Sequence, residues 1–135
     1  MNTPVSFEIA KLLKEKGYDI LNLYFYTKPN TKMFGIDEHG RYYPMKNKAK
    51  SLWTTGNAAA LKIENVYQAP TIAEVVMWLY EKHGIWISVN PTQDLKAFWH
   101  EIRGVNGVWY MGNNYSNPTE GYEAAIKYTL KNLLK

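Results

Sequence analysis

Two periods alternate along this chain, and the switches between them mark its elements. From Ser6 to Gly17 the spacing is helical: Ile9, Ala10, Leu12 and Leu13, with Phe7 at the edge, form one apolar arc, and Glu8, Lys11, Lys14 and Glu15 face away. Ser6 or Thr3 can cap the start of this helix and Gly17 its end. Ile20 to Thr27 is rich in aromatic and branched residues and reads as a strand. Lys32 to Ile36 reads as a second strand and Arg41 to Met45 as a third, separated by the turn signals Pro29-Asn30 and Asp37-Glu38-His39-Gly40. An antiparallel meander is expected. Lys46 to Glu64 has no clear period and reads as a long surface loop with Trp53 as its anchor, followed by a strand over Leu61 to Tyr67.

The sharpest pattern is Ala69 to Val89, where a helix start, a helix, a stop and a strand follow one another. Thr71 and Glu74 have the spacing of a capping box. Ile72 to Tyr80 is apolar except at Glu74, which leaves little of that helix for water. Lys82 and His83 suit a helix C-terminus and Gly84 its left-handed cap. Period two then takes over, with Ile85, Ile87 and Val89 inward and Trp86 and Ser88 outward. After a loop at Asn90 to Asp94, Ala97 to Val105 and Val108 to Met111 flank Asn106-Gly107, a strong hairpin signal. A two-residue turn there pairs Val105 with Val108. It sets Phe98, Ile102, Trp109 and Met111 on one face, and Trp99, Glu101, Arg103, Val108 and Tyr110 on the other. Asn117-Pro118-Thr119 starts a last helix whose stripe is Tyr122, Ala125, Ile126, Thr129, Leu130 and Leu133.

These elements predict an α+β fold, a single two-layer domain over residues 1–135 with three helices and mostly antiparallel strands. Residues 1–68 supply a helix and the meander, and residues 69–135 a helix–three strands–helix half.

Composition sharpens this picture in three ways. With 46% hydrophobic and 21% charged residues in 135, the chain can bury a core. Five Trp, eleven Tyr and four Phe need a core, a partner or a stacking ligand. There is no Cys, which excludes disulfides, thiolate catalysis and cysteine-based zinc sites. No apolar run approaches the ~20 residues of a membrane span, and the N-terminus lacks a signal-peptide profile, so a cytoplasmic protein is expected. The net charge of +4 favours acidic partners weakly.

Little in the chain suggests catalysis. His39, His83 and His100 show no ligand spacing, and His100 and Glu101, adjacent on a strand, point to opposite faces. The serines lie outside any nucleophile elbow, and the glycines form no phosphate loop or dinucleotide fingerprint. No catalytic residue, metal site or cofactor is assigned. The candidate site is the outward face of the C-terminal sheet, where Trp86, Trp99 and Tyr110 would point away from the helices with Arg103 opposite Tyr110. Aromatics beside an arginine can grip a protein partner, a second copy or a base. The competing reading is that the N-terminal meander covers them. A second candidate is nucleic-acid contact through Lys46, Lys48 and Lys50, or through Lys127, Lys131 and Lys135 at steps of four along the last helix. Those lysines also suit a solvated loop and a helix C-terminus.

Two resemblances follow from residues already quoted. From Thr71 onward, the order helix–three strands–helix with the alanine-containing last helix YEAAIKYTLKNLL resembles the double-stranded-RNA-binding domain. That family places a lysine cluster at the start of the last helix, where this chain reads Thr119-Glu120-Gly121-Tyr122-Glu123. The resemblance therefore implies the order of elements without the RNA contact. In addition, the blocks FEIAKLLKEKG, APTIAEVVMWLYEKHGIWISV and PTEGYEAAIKYTLKNLL resemble a family of small uncharacterised proteins of phages and prophages of gut Bacteroidetes. This implies a phage or mobile-element accessory protein in a bacterial cytoplasm, and no activity or cofactor.

Overall fold

The computed structural model describes residues 3–20, 24–27, 32–36, 41–44, 52–53 and 66–134. The chain is α+β, with three helices and antiparallel strands among the described residues, and divides into two compact units, Pro4–Pro70 and Thr71–Lys135 with Met1–Thr3.

In the first unit, helix α1 spans Phe7–Glu15. The Ser6 hydroxyl accepts from Ile9 N at 3.4 Å at its start. At its end Gly17 turns to φ 85°, which lets Tyr18 N reach back to Leu13 O at 2.9 Å and closes the last turn. Ile9, Ala10 and Leu13 are buried, as the apolar arc requires. Strands β1 (Tyr24–Thr27), β2 (Lys32–Ile36), β3 (Arg41–Pro44), β4 (Leu52–Trp53) and β5 (Val66–Gln68) form one antiparallel sheet in the order β4-β3-β2-β1-β5. The meander of the first three strands is therefore present, and β5 returns to pair with β1, Tyr26 opposite Tyr67. Phe7 meets both of these rings edge-on, at 5.6 and 5.3 Å between centroids. The Tyr26 hydroxyl donates to Val5 O at 2.8 Å, so the polar tip of a buried ring is satisfied by backbone. The expected turns at Pro29-Asn30 and Asp37–Gly40 lie outside the described residues. So do the expected strand segment 61–65 and the loop 46–64 apart from β4.

In the second unit, helix α2 spans Ile72–His83 and starts with both halves of the capping box. Thr71 Oγ1 accepts from Glu74 N, and Glu74 Oε1 accepts from Thr71 N at 3.1 Å. Gly84 at φ 64° ends it. Strands β6 (Trp86–Pro91), β7 (Phe98–Gly104) and β8 (Gly107–Tyr115) form an antiparallel sheet in sequence order. Helix α3 (Pro118–Tyr128), capped by Asn117 and with Pro118 in its first turn, packs against all three strands, and α2 packs against β6 and α3. This unit is two layers, helices on one face of a sheet. Its core is Ile72, Val75, Val76, Leu79, Ile85, Ile87, Ile102, Ala125, Ile126 and Leu130, all buried. Each large aliphatic among them contributes about 1.5–3 kcal/mol by leaving water. Gly121 brings α3 onto β6, since a Cβ there would stand 3.0 Å from Val89 Cγ1.

Three local expectations are corrected. The hairpin turn is Val105-Asn106, not Asn106-Gly107: Gly104 pairs with Gly107, which has φ 115°, and Arg103 pairs with Val108. Trp109 is then an extra residue on β8, so Tyr110 pairs with Ile102 rather than with Arg103. Helix α2 is not closed to water on all sides. It lies on a sheet and buries one arc (Ile72, Val75, Val76, Leu79), which turns Met77 and Tyr80 outward at 44% and 54% exposure. Finally, α3 does not run on as an α-helix. Thr129–Leu133 forms a π-turn, with Leu134 N donating to Thr129 O at 3.1 Å and the Thr129 hydroxyl donating back to Ala125 O at 2.8 Å.

Candidate functional site

The register places Trp86, Ser88 and Asn90 of β6 opposite Arg103, Glu101 and Trp99 of β7 on the sheet face that looks away from the helices. Glu101 pairs with Met111 of β8, so Met111 belongs to that face as well. Arg103 Nη2 lies 2.5 Å from Glu101 Oε1, an ion pair between residues two apart on one strand. Its arginine side chain is about half exposed while the carboxylate is nearly covered. The charge of Arg103 is thus partly answered beside Trp86, and the pair presents little net charge.

Trp86 is 41% exposed and meets Tyr80 of α2 edge-on, with centroids 5.6 Å apart and planes at 85°. Met77 lies one helical turn before Tyr80 and is also exposed. Helix α2 leads directly into β6 through Gly84 and Ile85, and this short connection fixes Tyr80 next to Trp86. The Met77–Tyr80–Trp86 surface is apolar, rigidly mounted and bordered by Arg103. It can accept an apolar or aromatic side chain, with a hydrogen-bond donor at its margin.

Along the same face, Thr92, Trp99, Met111, Gly112, Asn113 and Asn114 line a shallow depression of about 320 Å3. None of these side chains ionises near neutral pH. The loop at its rim is braced: Thr92 Oγ1 donates to Asp94 Oδ1 at 2.6 Å and accepts from Ala97 N at 3.3 Å, and Lys96 N donates to the same carboxylate oxygen at 3.1 Å. The Thr92 hydroxyl and the Lys96 amide hold the Asp94 carboxyl below its ordinary range. Leu95 at the tip sits in the left-handed region, φ 60°.

Of the residues singled out from sequence, the structure brings Trp86, Trp99 and Arg103 to one face and removes Tyr110 from it. The shifted turn alone would set Tyr110 opposite Glu101 on the same outward face; the extra residue at Trp109 rotates it to the helix side, where it stacks on Tyr128 at 4.0 Å with planes 9° apart. Arg103 has Trp86 opposite instead. Lys46, Lys48, Lys50 and Lys135 lie outside the described residues. Lys127 is half-buried in the last turn of α3 and Lys131 is exposed in the π-turn, which breaks the regular step of four. His100 and Glu101 point to opposite faces. His83 packs edge-on against Trp78 at 4.9 Å. Among the described residues no three His, Asp or Glu side chains gather as metal ligands, and no helix is long and apolar enough to cross a membrane.

Sequence reasoning missed Met77 and Tyr80, although a signal was present for the first. Glu74 and Glu81, seven residues apart, mark one wet line along α2, and Met77, three residues from one and four from the other, lies beside it; Tyr80 is about 100° round the helix from Glu81 and has no such mark. Comparison with protein-family models, with curated proteins and with solved structures gives no match.

Proposed function

We propose that this chain is a non-enzymatic protein-interaction module that docks its partner on the Met77–Tyr80–Trp86 surface, with Arg103 at the margin. The observation that supports this reading is the exposed edge-on pair of Tyr80 and Trp86, two large aromatic side chains open to solvent on a rigid helix–strand junction. Aromatic anchors of this kind dominate the energy of protein interfaces. Such a module suits an accessory protein of the phage-associated family that the three sequence blocks resemble.

Site-directed photocrosslinking from position 77 in the host cell, repeated with Tyr80→Ala and Trp86→Ala, tests the reading. A single crosslinked species that disappears in both variants supports it, and sedimentation over a concentration series then separates a second copy of the chain from another protein. Crosslinks that persist unchanged in both variants overturn it. Steeply salt-dependent binding of duplex RNA or DNA, lost in Lys127→Ala/Lys131→Ala, would replace it with a nucleic-acid-binding function.

A further inference from the structure

His100 occupies an aromatic slot on the helix side of β7. It is 1% exposed, and neither ring nitrogen has a hydrogen-bond partner among the described residues. Tyr115 stacks on it at 5.3 Å and Tyr110 lies tilted at 5.6 Å. The slot exists because residue 112 is glycine: a Cβ there would stand 2.5 Å from His100 Cε1. Both tyrosine walls touch α3, near its two ends. Tyr110 stacks on Tyr128, and Tyr115 Cδ2 lies 3.6 Å from the position of a Cβ on Gly121. A buried imidazole with no acceptor or donor costs stability that a phenyl or isobutyl group in the same slot would not.

Among the described residues, the elements around it offer no counter-charge. Strand β6 has no titratable side chain, and β8 contributes only the phenols of Tyr110 and Tyr115. On β7, Glu101 points to the other face and engages Arg103. Helix α3 carries Glu120, Tyr122, Glu123, Lys127 and Tyr128, of which Glu120 accepts from Ser116 N at 2.8 Å. Helix α2 carries Glu74, Tyr80, Glu81, Lys82 and His83, all exposed. Burial pushes the acidity of the His100 imidazolium up, holding its pKa below the ordinary imidazole range.

We propose that His100 is a proton-operated release for the helix–sheet interface of the second unit: as neutral imidazole it stays in the slot, and as imidazolium it must reach water, displacing Tyr110 and Tyr115 and with them α3. A group favoured neutral in the fold supports it fully above its unfolded pKa of about 6.5, and this support is lost as pH falls from there through the lower folded value. The inference does not depend on the docking surface.

Amide hydrogen exchange of β7, β8 and α3 between pH 7.5 and 5, corrected for intrinsic exchange, tests it on the full chain. The opening constant is expected to rise about tenfold per pH unit below about 6.5, the signature of one proton taken up on opening. His39→Ala and His83→Ala keep this slope, and His100→Phe abolishes it. Should His100→Phe not fold, His100→Leu and an NMR titration of the wild-type imidazole decide: protonation is expected to coincide with loss of the Tyr110–Tyr128 contacts. A flat exchange profile, an unchanged slope in the His100 variant, or an imidazole that titrates with those contacts intact overturns the proposal.

Discussion

Gly112 and His100 fit each other as a hole and its filling: the hydrogen on Gly112 leaves the space that the imidazole edge takes up, with Cε1 2.5 Å from the place of a Cβ. The ring cannot step aside, because Tyr115 and Tyr110 flank it. Gly112→Ala is therefore expected to destabilise the chain by about 1–3 kcal/mol, the range for overpacking a filled interior. Urea unfolding checks this, and the double variant Gly112→Ala/His100→Ala should recover part of the loss.

The α2 capping box gives a second prediction. Thr71→Ala removes the hydroxyl that Glu74 N donates to and is expected to cost about 1 kcal/mol. Thr71→Ser keeps the acceptor and should stay close to wild type. Thermal unfolding of both variants separates cap from side-chain volume.

Most of α2 was legible in the sequence for this reason. A cap is local chemistry, and Thr71, Glu74 and Gly84 state both ends of the helix without reference to anything distant. The C-terminal order of elements was legible too, from period changes alone. The face of Tyr110 was not. It depends on the extra residue at Trp109, and one inserted residue turns every later side chain over, whereas moving the turn by one position shifts the pairing by two and leaves the faces as they were. The role of Gly112 was hidden for a related reason, because its meaning lies in a histidine on another strand. Outward placement of Met77 was written in its spacing from Glu74 and Glu81 but masked by the apolar residues around it, and Tyr80 had no local mark at all.

Tyr80 and Trp86 should separate binding from folding. Both are substantially exposed, so Trp86→Ala loses little beyond an aromatic pair and is expected to lower stability by less than about 1.5 kcal/mol. Calorimetry of the variants establishes that margin, which makes loss of docking in the same variants interpretable.

In the loop between β6 and β7, the depressed acidity of Asp94 predicts a loosening in acid. Its carboxylate accepts from Thr92 and Lys96, so the loop is supported above the ordinary carboxyl value of 3.8 and loses that support as pH falls through the lower folded value. Lys96 amide exchange followed from pH 5 to pH 2 reports it. Asp94→Asn, which keeps an acceptor oxygen without the charge, should flatten the profile.

Leu95, next in the chain, holds a left-handed backbone at 70% exposure with little burial in return. That conformation costs an L-residue about 1–2 kcal/mol, against the 0.5–1 kcal/mol that glycine loses in chain freedom. Leu95→Gly is expected to stabilise the chain by up to about 1 kcal/mol, as a rise in melting temperature shows.

The π-turn at Thr129–Leu133 carries a consequence for length. By bonding Leu134 N to Thr129 O, one residue farther than an α-turn would, the last helix accommodates one more residue than its path requires. Deleting Asn132, which is exposed, is expected to restore the ordinary turn with Leu134 still seated in the core, as an unchanged melting temperature would show. The same deletion in α2, where every turn is already regular, would swing its buried face by about 100°. One helix of this unit is thus cut to measure, and the other has a residue of slack.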